Sequence, residues 1–126
     1  HRDLHLSIRR QRQMCIRDRA IVIDEFAAVL HANARDKGFW DENNGTIFYL
    51  KQLAMVHSEV SEVLEAIRKE KGDDQVVEEL ADIIIRVLDL YAGLVRDGYT
   101  SISLEESLKN KAKINTERPK MHGVLA

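Results

Sequence analysis

The stretch QVVEELADIIIRVLDLYAGLVR, residues 75–96, decides the fold. Read at helical spacing, Val76, Val77, Leu80, Ile83, Ile84, Ile85, Val87, Leu88, Leu90, Tyr91 and Leu94 place apolar side chains around most of the circumference. A helix of this kind must be covered on more than one side, at the centre of a bundle or between subunits. Just before it, Gly72-Asp73-Asp74 breaks the preceding element, and the two acids suit the positive end of a helix dipole.

Working outward, a second helix is expected from a Thr46 cap to about Lys71, with Leu50, Leu53, Val56, Val60, Val63, Leu64 and Ile67 on one stripe. Ala20 to about Arg35 carries Val22, Phe26, Val29, Leu30 and Ala34 at the same period, and Lys37-Gly38 supplies its stop. The segment Phe39 to Gly45 between these helices is rich in turn formers but holds the only tryptophan, Trp40. Ser103-Leu-Glu-Glu106 has the form of a capping box and opens a fourth helix, which must end near Arg118 because Pro119 follows. Strand signals are few, so the fold expected is an all-α, four-helix-bundle-type domain.

Composition bounds the rest. With 126 residues, 44% hydrophobic and 32% charged, the chain suits one domain with a single core. The lone Cys15 cannot form an internal disulfide, no apolar run approaches the roughly 18 residues of a membrane span, and no signal peptide is evident, so a cytoplasmic protein is expected. Residues 1–19 hold six arginines against Asp3 and Asp18, a charge of +4 that leaves −6 for the remainder of a chain of net charge −2. This basic extension could attract nucleic acid, but it lacks an aromatic platform and a groove-reading motif, and a nucleic-acid partner is not expected. His1-Arg2-Asp3 resembles a kinase catalytic loop without the Asn that should follow or the chain length that a kinase needs. Met14 to Arg19 resembles translated adapter read-through, so residues 1–19 are expected to be disordered or an artefact of gene assembly, with the domain proper spanning 20–123.

The second helix sets two acids at the border of its apolar stripe. With Val60 at the centre, Glu59 falls near −100° and Glu62 near −160°; with Leu80 at the centre of the third helix, Glu79 and Asp82 fall at about the same two angles. Helices joined by so short a turn pack antiparallel and can bring both pairs into one cleft. Two like charges about 4 Å apart repel by roughly 4 kcal/mol at an effective dielectric near 20, so four acids there call for a cation. Carboxylates without cysteine or suitably spaced histidine favour Mg2+, or Mn2+, over zinc. The alternative is two pairs of solvated surface acids. On the fourth helix, Lys111, Asn115 and Arg118 share one face at i, i+4 and i+7 and could hold phosphates, or serve only as a solubilising face. His57 lies toward the apolar stripe and reads as a core histidine.

Glu59-Val-Ser-Glu62 with Glu79-Leu-Ala-Asp82 resembles the paired signature of the MazG-like, all-α nucleoside triphosphate pyrophosphohydrolases. Lys37-Gly-Phe-Trp-Asp41, His57 to Glu62, Glu78 to Asp82 and a tail of Lys111, Asn115, Arg118, Pro119, His122 and Gly123 follow in that family's order, covering residues 20–123. The resemblance implies hydrolysis of a nucleoside triphosphate to monophosphate and pyrophosphate. It implies Glu59, Glu62, Glu79 and Asp82 as Mg2+ ligands, with Glu62 as the catalytic base, and Lys111, Asn115 and Arg118 on the phosphates. Trp40 would stack on or close over the base, with packing as its rival role. The family also implies subunit pairing to a homodimer or homotetramer. Two alternatives stand beside this reading: a non-enzymatic helical oligomerisation or regulatory module, and a dCTP- or dUTP-restricted pyrophosphatase of the same superfamily.

Overall fold

The computed structural model describes residues 22–119. Among them are four helices and no strand: α1 Ile23–Asp36, α2 Thr46–Arg68, α3 Asp73–Arg96 and α4 Leu104–Glu117. The all-α expectation holds. No described helix is long and apolar enough to cross a membrane. Residues 1–19, Lys120, His122 and Gly123, to which the sequence assigned an extension and a tail, lie outside the described residues.

The helix ends follow local chemistry. α1 stops at Lys37-Gly38, where Gly38 at φ +85° lets Gly38 N–H reach Arg35 O (3.0 Å) and Phe39 N–H reach Ala34 O (3.0 Å). α2 ends the same way but three residues before the expected Lys71, with Glu70 rather than a glycine at positive φ (52°). Thr46 is not a cap; Gly45 holds that place, its N–H donating to Asn43 Oδ1 (3.0 Å). α3 starts at Asp73, two residues before the expected Gln75, which puts both acids in the first turn.

At α4 the capping box is half formed, since Ser103 Oγ accepts from Glu106 N–H (3.1 Å). Ser103 Oγ also donates to Asp24 Oδ2 (2.6 Å), Glu105 N–H donates to Asp24 Oδ1 (3.0 Å), and Ile23 N–H donates to Glu105 Oε1 (3.0 Å). Each helix thereby caps the other with an acid in its first turn.

α2 and α3 are antiparallel, with Tyr49 opposite Asp97 and Glu59 opposite Arg86. α1 and α2 both pack on α3, and α4 leans on α1. The core lies where the loop before α2 meets the far end of α3: Trp40, Phe48, Tyr49 and Leu90 are buried together, with Ala34 and Leu94 against them. Gly93 permits this, because a Cβ there would sit 2.2 Å from Trp40 Cη2. Gly93→Ala is accordingly expected to destabilise the fold by about 1–3 kcal/mol, the usual range for overpacking, as measured by urea denaturation.

One sequence expectation inverts. Leu50, Leu53, Val60, Leu64 and Ile67 of α2 are exposed in the single chain, and so are Val77, Leu80, Ile84 and Val87 of α3. The α2 stripe was expected to face the core, and α3 to lie at the centre of a bundle or between subunits; within one chain α1 and the tryptophan loop cover the other side of the pair. His57 is likewise exposed rather than a core histidine, and the buried histidine is His31 on α1.

Candidate active site

The antiparallel α2–α3 pair carries out the alignment that the two acid pairs anticipated. Glu59 from α2 and Glu79 and Asp82 from α3 each offer a carboxylate oxygen within 4.8 Å of the others. Glu59 and Glu79 are half-buried and Asp82 is exposed. Glu62 sits one turn along α2 beside this trio, and its carboxyl is held above the usual carboxylate range chiefly by a hydrogen bond and repulsion shared with Glu59, then with Glu79. Neighbouring like charges make ionisation of this carboxyl less favourable than usual.

Two further observations test whether a cation fits. Glu79 Oε2 is buried and has no hydrogen-bond partner, a costly condition for a carboxylate oxygen unless a ligand completes it. The donors are all carboxylates, which suits a hard, oxygen-seeking ion. Glu59, Glu79 and Asp82 therefore fit a divalent cation, with Glu62 adjacent.

Two of the trio, Glu59 and Asp82, edge a cleft of about 650 Å³ between α1, the tryptophan loop, α2 and α3. Glu59 and Asp82 face it together with Arg86, Lys37 and Lys51, while Leu30, Phe48, Met55 and Ile85 give it an apolar wall. This is the size of an ordinary small-molecule site. Glu62 and Glu79 line a separate depression with Ser58, Ser61, Glu65 and Lys71, so the acids form a ridge between two hollows.

Not every expected residue arrives here. Trp40 is 5% exposed, packed at ring distances of 4.9 Å from Phe48 and 5.8 Å from Tyr49, with Nε1–H donating to Asp89 Oδ1 (3.0 Å). Within one chain Trp40 packs in the core, the rival role that the sequence left open beside stacking on the base. Lys111 and Asn115 are exposed on α4, Arg118 caps its C-terminus, and none of the three lines the cleft within one chain.

Other residues come to the site without having been singled out. Arg86 Nε–H donates to Glu59 Oε1 (2.7 Å). Asp89, which faces the cleft, accepts from both Trp40 and His31 Nδ1–H (2.8 Å), joining the loop, α1 and α3. Their spacing was readable, since Arg86 and Asp89 follow Asp82 at i+4 and i+7, but the apolar run around them concealed which face they occupied.

Comparison with known proteins bears on the same segment. Residues 49–122, more than half of the chain, match the model of the MazG nucleotide pyrophosphohydrolase domain. No curated protein and no solved structure matches significantly. The matched region contains α2 from Tyr49, all of α3 and the four acids on them. The chain belongs to the MazG nucleotide pyrophosphohydrolase family.

Proposed function

We propose that the protein hydrolyses nucleoside or deoxynucleoside triphosphates to the monophosphate and pyrophosphate in a Mg2+-dependent reaction, Mn2+ being a substitute. The observation that carries this reading is the carboxylate trio, in which one Glu79 oxygen is buried and unpartnered while Glu59 and Asp82 stand on the rim of a cleft. Glu59, Glu79 and Asp82 would hold the cation and Glu62 would complete or adjoin the set. Bound there, Mg2+ would neutralise phosphate oxygens and make nearby water more acidic.

The chain's own residues supply the rest. A water oxygen attacks the α phosphorus, the bond from that phosphorus to the bridging oxygen breaks, and pyrophosphate leaves with the bond electrons. Glu62 takes the water's proton. Its raised affinity for protons suits a base that must hold one during the reaction. The apolar wall of the cleft receives the nucleoside.

A second copy of the chain is the proposed cover for the exposed stripe on α2 and α3, giving a homodimer or homotetramer. Pairing would also provide a route by which Lys111, Asn115 and Arg118 of one copy meet phosphates held by another. Light scattering at micromolar concentration should give at least twice the monomer mass of 14.5 kDa. A monomer would remove both the cover and that route.

The reaction itself is tested by incubating purified protein with canonical dNTPs and NTPs, with Mg2+ or with EDTA, and resolving products by ion exchange. Monophosphate and pyrophosphate that vanish with EDTA are expected, and the rates rank the bases, including a restriction to dCTP or dUTP. No turnover of any nucleotide would overturn the reading in favour of a helical oligomerisation module in the cytoplasm.

A further inference from the structure

The Arg86–Glu59 contact asks one carboxylate to serve two cations. Glu59 Oε1 accepts from Arg86 Nε–H at 2.7 Å, yet Glu59 also belongs to the trio fitted for a divalent ion. The two partners differ in freedom: the Glu59 side chain is 13% exposed and that of Arg86 is 36% exposed. Glu59 is therefore fixed, and Arg86 is the member able to turn. Its bond to Glu59 is made through Nε, and the side chain lines the cleft wall. Arg86 stands one helical turn beyond Asp82 on α3 and lines the same cleft as Glu59 and Asp82.

We propose that Arg86 is a phosphate-binding residue of the cleft, held ready by Glu59 and competing with the divalent cation for that carboxylate. This rests on the triphosphate reading of the site. A guanidinium has five donors in a planar fork, so with Nε on Glu59 it still presents two Nη groups to a phosphate, and it can present more as the cation takes over the charge of Glu59. Lys37 and Lys51 line the same cleft and extend its positive wall, whereas the cations of α4 do not reach it within one chain. The triphosphate is thus gripped from α3, by the helix that also carries two of the three acids.

The test separates this role from that of a structural clamp between α2 and α3. Two affinities are measured by calorimetry for wild type, Arg86→Gln and Arg86→Lys: Mn2+ alone, and an α,β-imido deoxynucleoside triphosphate in the presence of Mn2+. Arg86→Gln should bind the analogue at least about tenfold more weakly while binding Mn2+ alone as tightly as wild type or more so, because a competing cation has gone. Arg86→Lys should recover part of the analogue affinity, since lysine offers charge without the fork. A structural clamp gives the reverse pattern: weaker Mn2+ binding in Arg86→Gln, with analogue affinity lost only in proportion. That result would overturn the inference, as would unchanged analogue affinity in a variant that retains wild-type helicity and cooperative melting. Failure of wild type itself to bind Mn2+ would instead overturn the metal reading, and the inference with it.

Discussion

Glu79→Gln should abolish the response to Mg2+ and yet leave the protein slightly more stable than wild type when both are measured in EDTA. The two signs come from one arrangement. Glu59, Glu79 and Asp82 present oxygens within 4.8 Å, so removing one charge relieves a repulsion that solvent only partly screens. The gain is on the order of 1 kcal/mol, because Asp82 is exposed and the neighbouring Arg86 already offsets Glu59. The loss is larger. A ligand that binds only the folded protein stabilises it by about 2.7 kcal/mol at a hundred times its Kd, and a variant without the site forfeits that increment. Turnover should fall by at least about 10²- to 10³-fold, the cost of removing one preorganised electrostatic contact at a reacting centre. Were these acids merely solvated surface, EDTA and Mg2+ would give the same melting curve for both proteins and the substitution would be nearly silent.

The pH dependence of the same measurement follows from Glu62. Its folded-state proton affinity is raised by Glu59 first and by Glu79 second. A carboxyl with a raised folded pKa favours the folded state below its unfolded value, and that contribution is lost as pH rises through the folded value. In EDTA, wild type should therefore lose relative stability as the pH climbs through and above the carboxylate range. Mg2+, which favours the ionised acids, should restore most at neutral pH and least near pH 4.5. In Glu79→Gln this slope should shrink without vanishing, because Glu59 still faces Glu62.

What the sequence made legible, and what it hid, divides along physical lines. The four acids were visible because helical geometry converts a spacing of three residues into a fixed angle, and two helices repeated that angle beside the same apolar stripe. The helix count and the Ser103 cap were visible for the same reason, being properties of one segment at a time. The core was not. The 3.6-residue period reports that Leu50, Leu53, Val60, Leu64 and Ile67 share a face, but not whether that face meets α1 or remains open in the single chain. The choice between the two roles of Trp40 was not legible because its setting depends on Gly93, 53 positions away, whose missing Cβ makes room for the indole. Arg86 escaped notice because its significance lies in a partner on another helix.

Trp40→Ala should cost about 3–5 kcal/mol, the range for deleting a large aromatic side chain from a core. Against a total stability of roughly 5–15 kcal/mol, that is enough to leave a substantial unfolded fraction at physiological temperature. The ring touches His31, Phe48 and Tyr49 at centroid distances of 4.6, 4.9 and 5.8 Å, contacts that an alanine would forfeit. Trp40→Phe separates volume from hydrogen bonding: it keeps a ring but leaves Asp89 with His31 as its remaining donor, a loss of about 1–3 kcal/mol for a charged acceptor. The decisive measurement is a double-mutant cycle with Gly93→Ala. Its Cβ would collide with Cη2, Cζ3 and Cζ2 of the indole, at 2.2, 2.8 and 2.9 Å, atoms of the six-membered ring that a phenylalanine places differently. Gly93→Ala should therefore cost less in the Trp40→Phe background than in wild type, with a coupling of at least about 0.5 kcal/mol. Strict additivity would mean that Gly93 is required for the helix backbone and not for the tryptophan. Because Lys37, Asp41 and Asp89 line the cleft around this anchor, Trp40→Phe should also raise KM for the best nucleotide more than it lowers kcat, the mark of a cleft loosened away from the reacting phosphate.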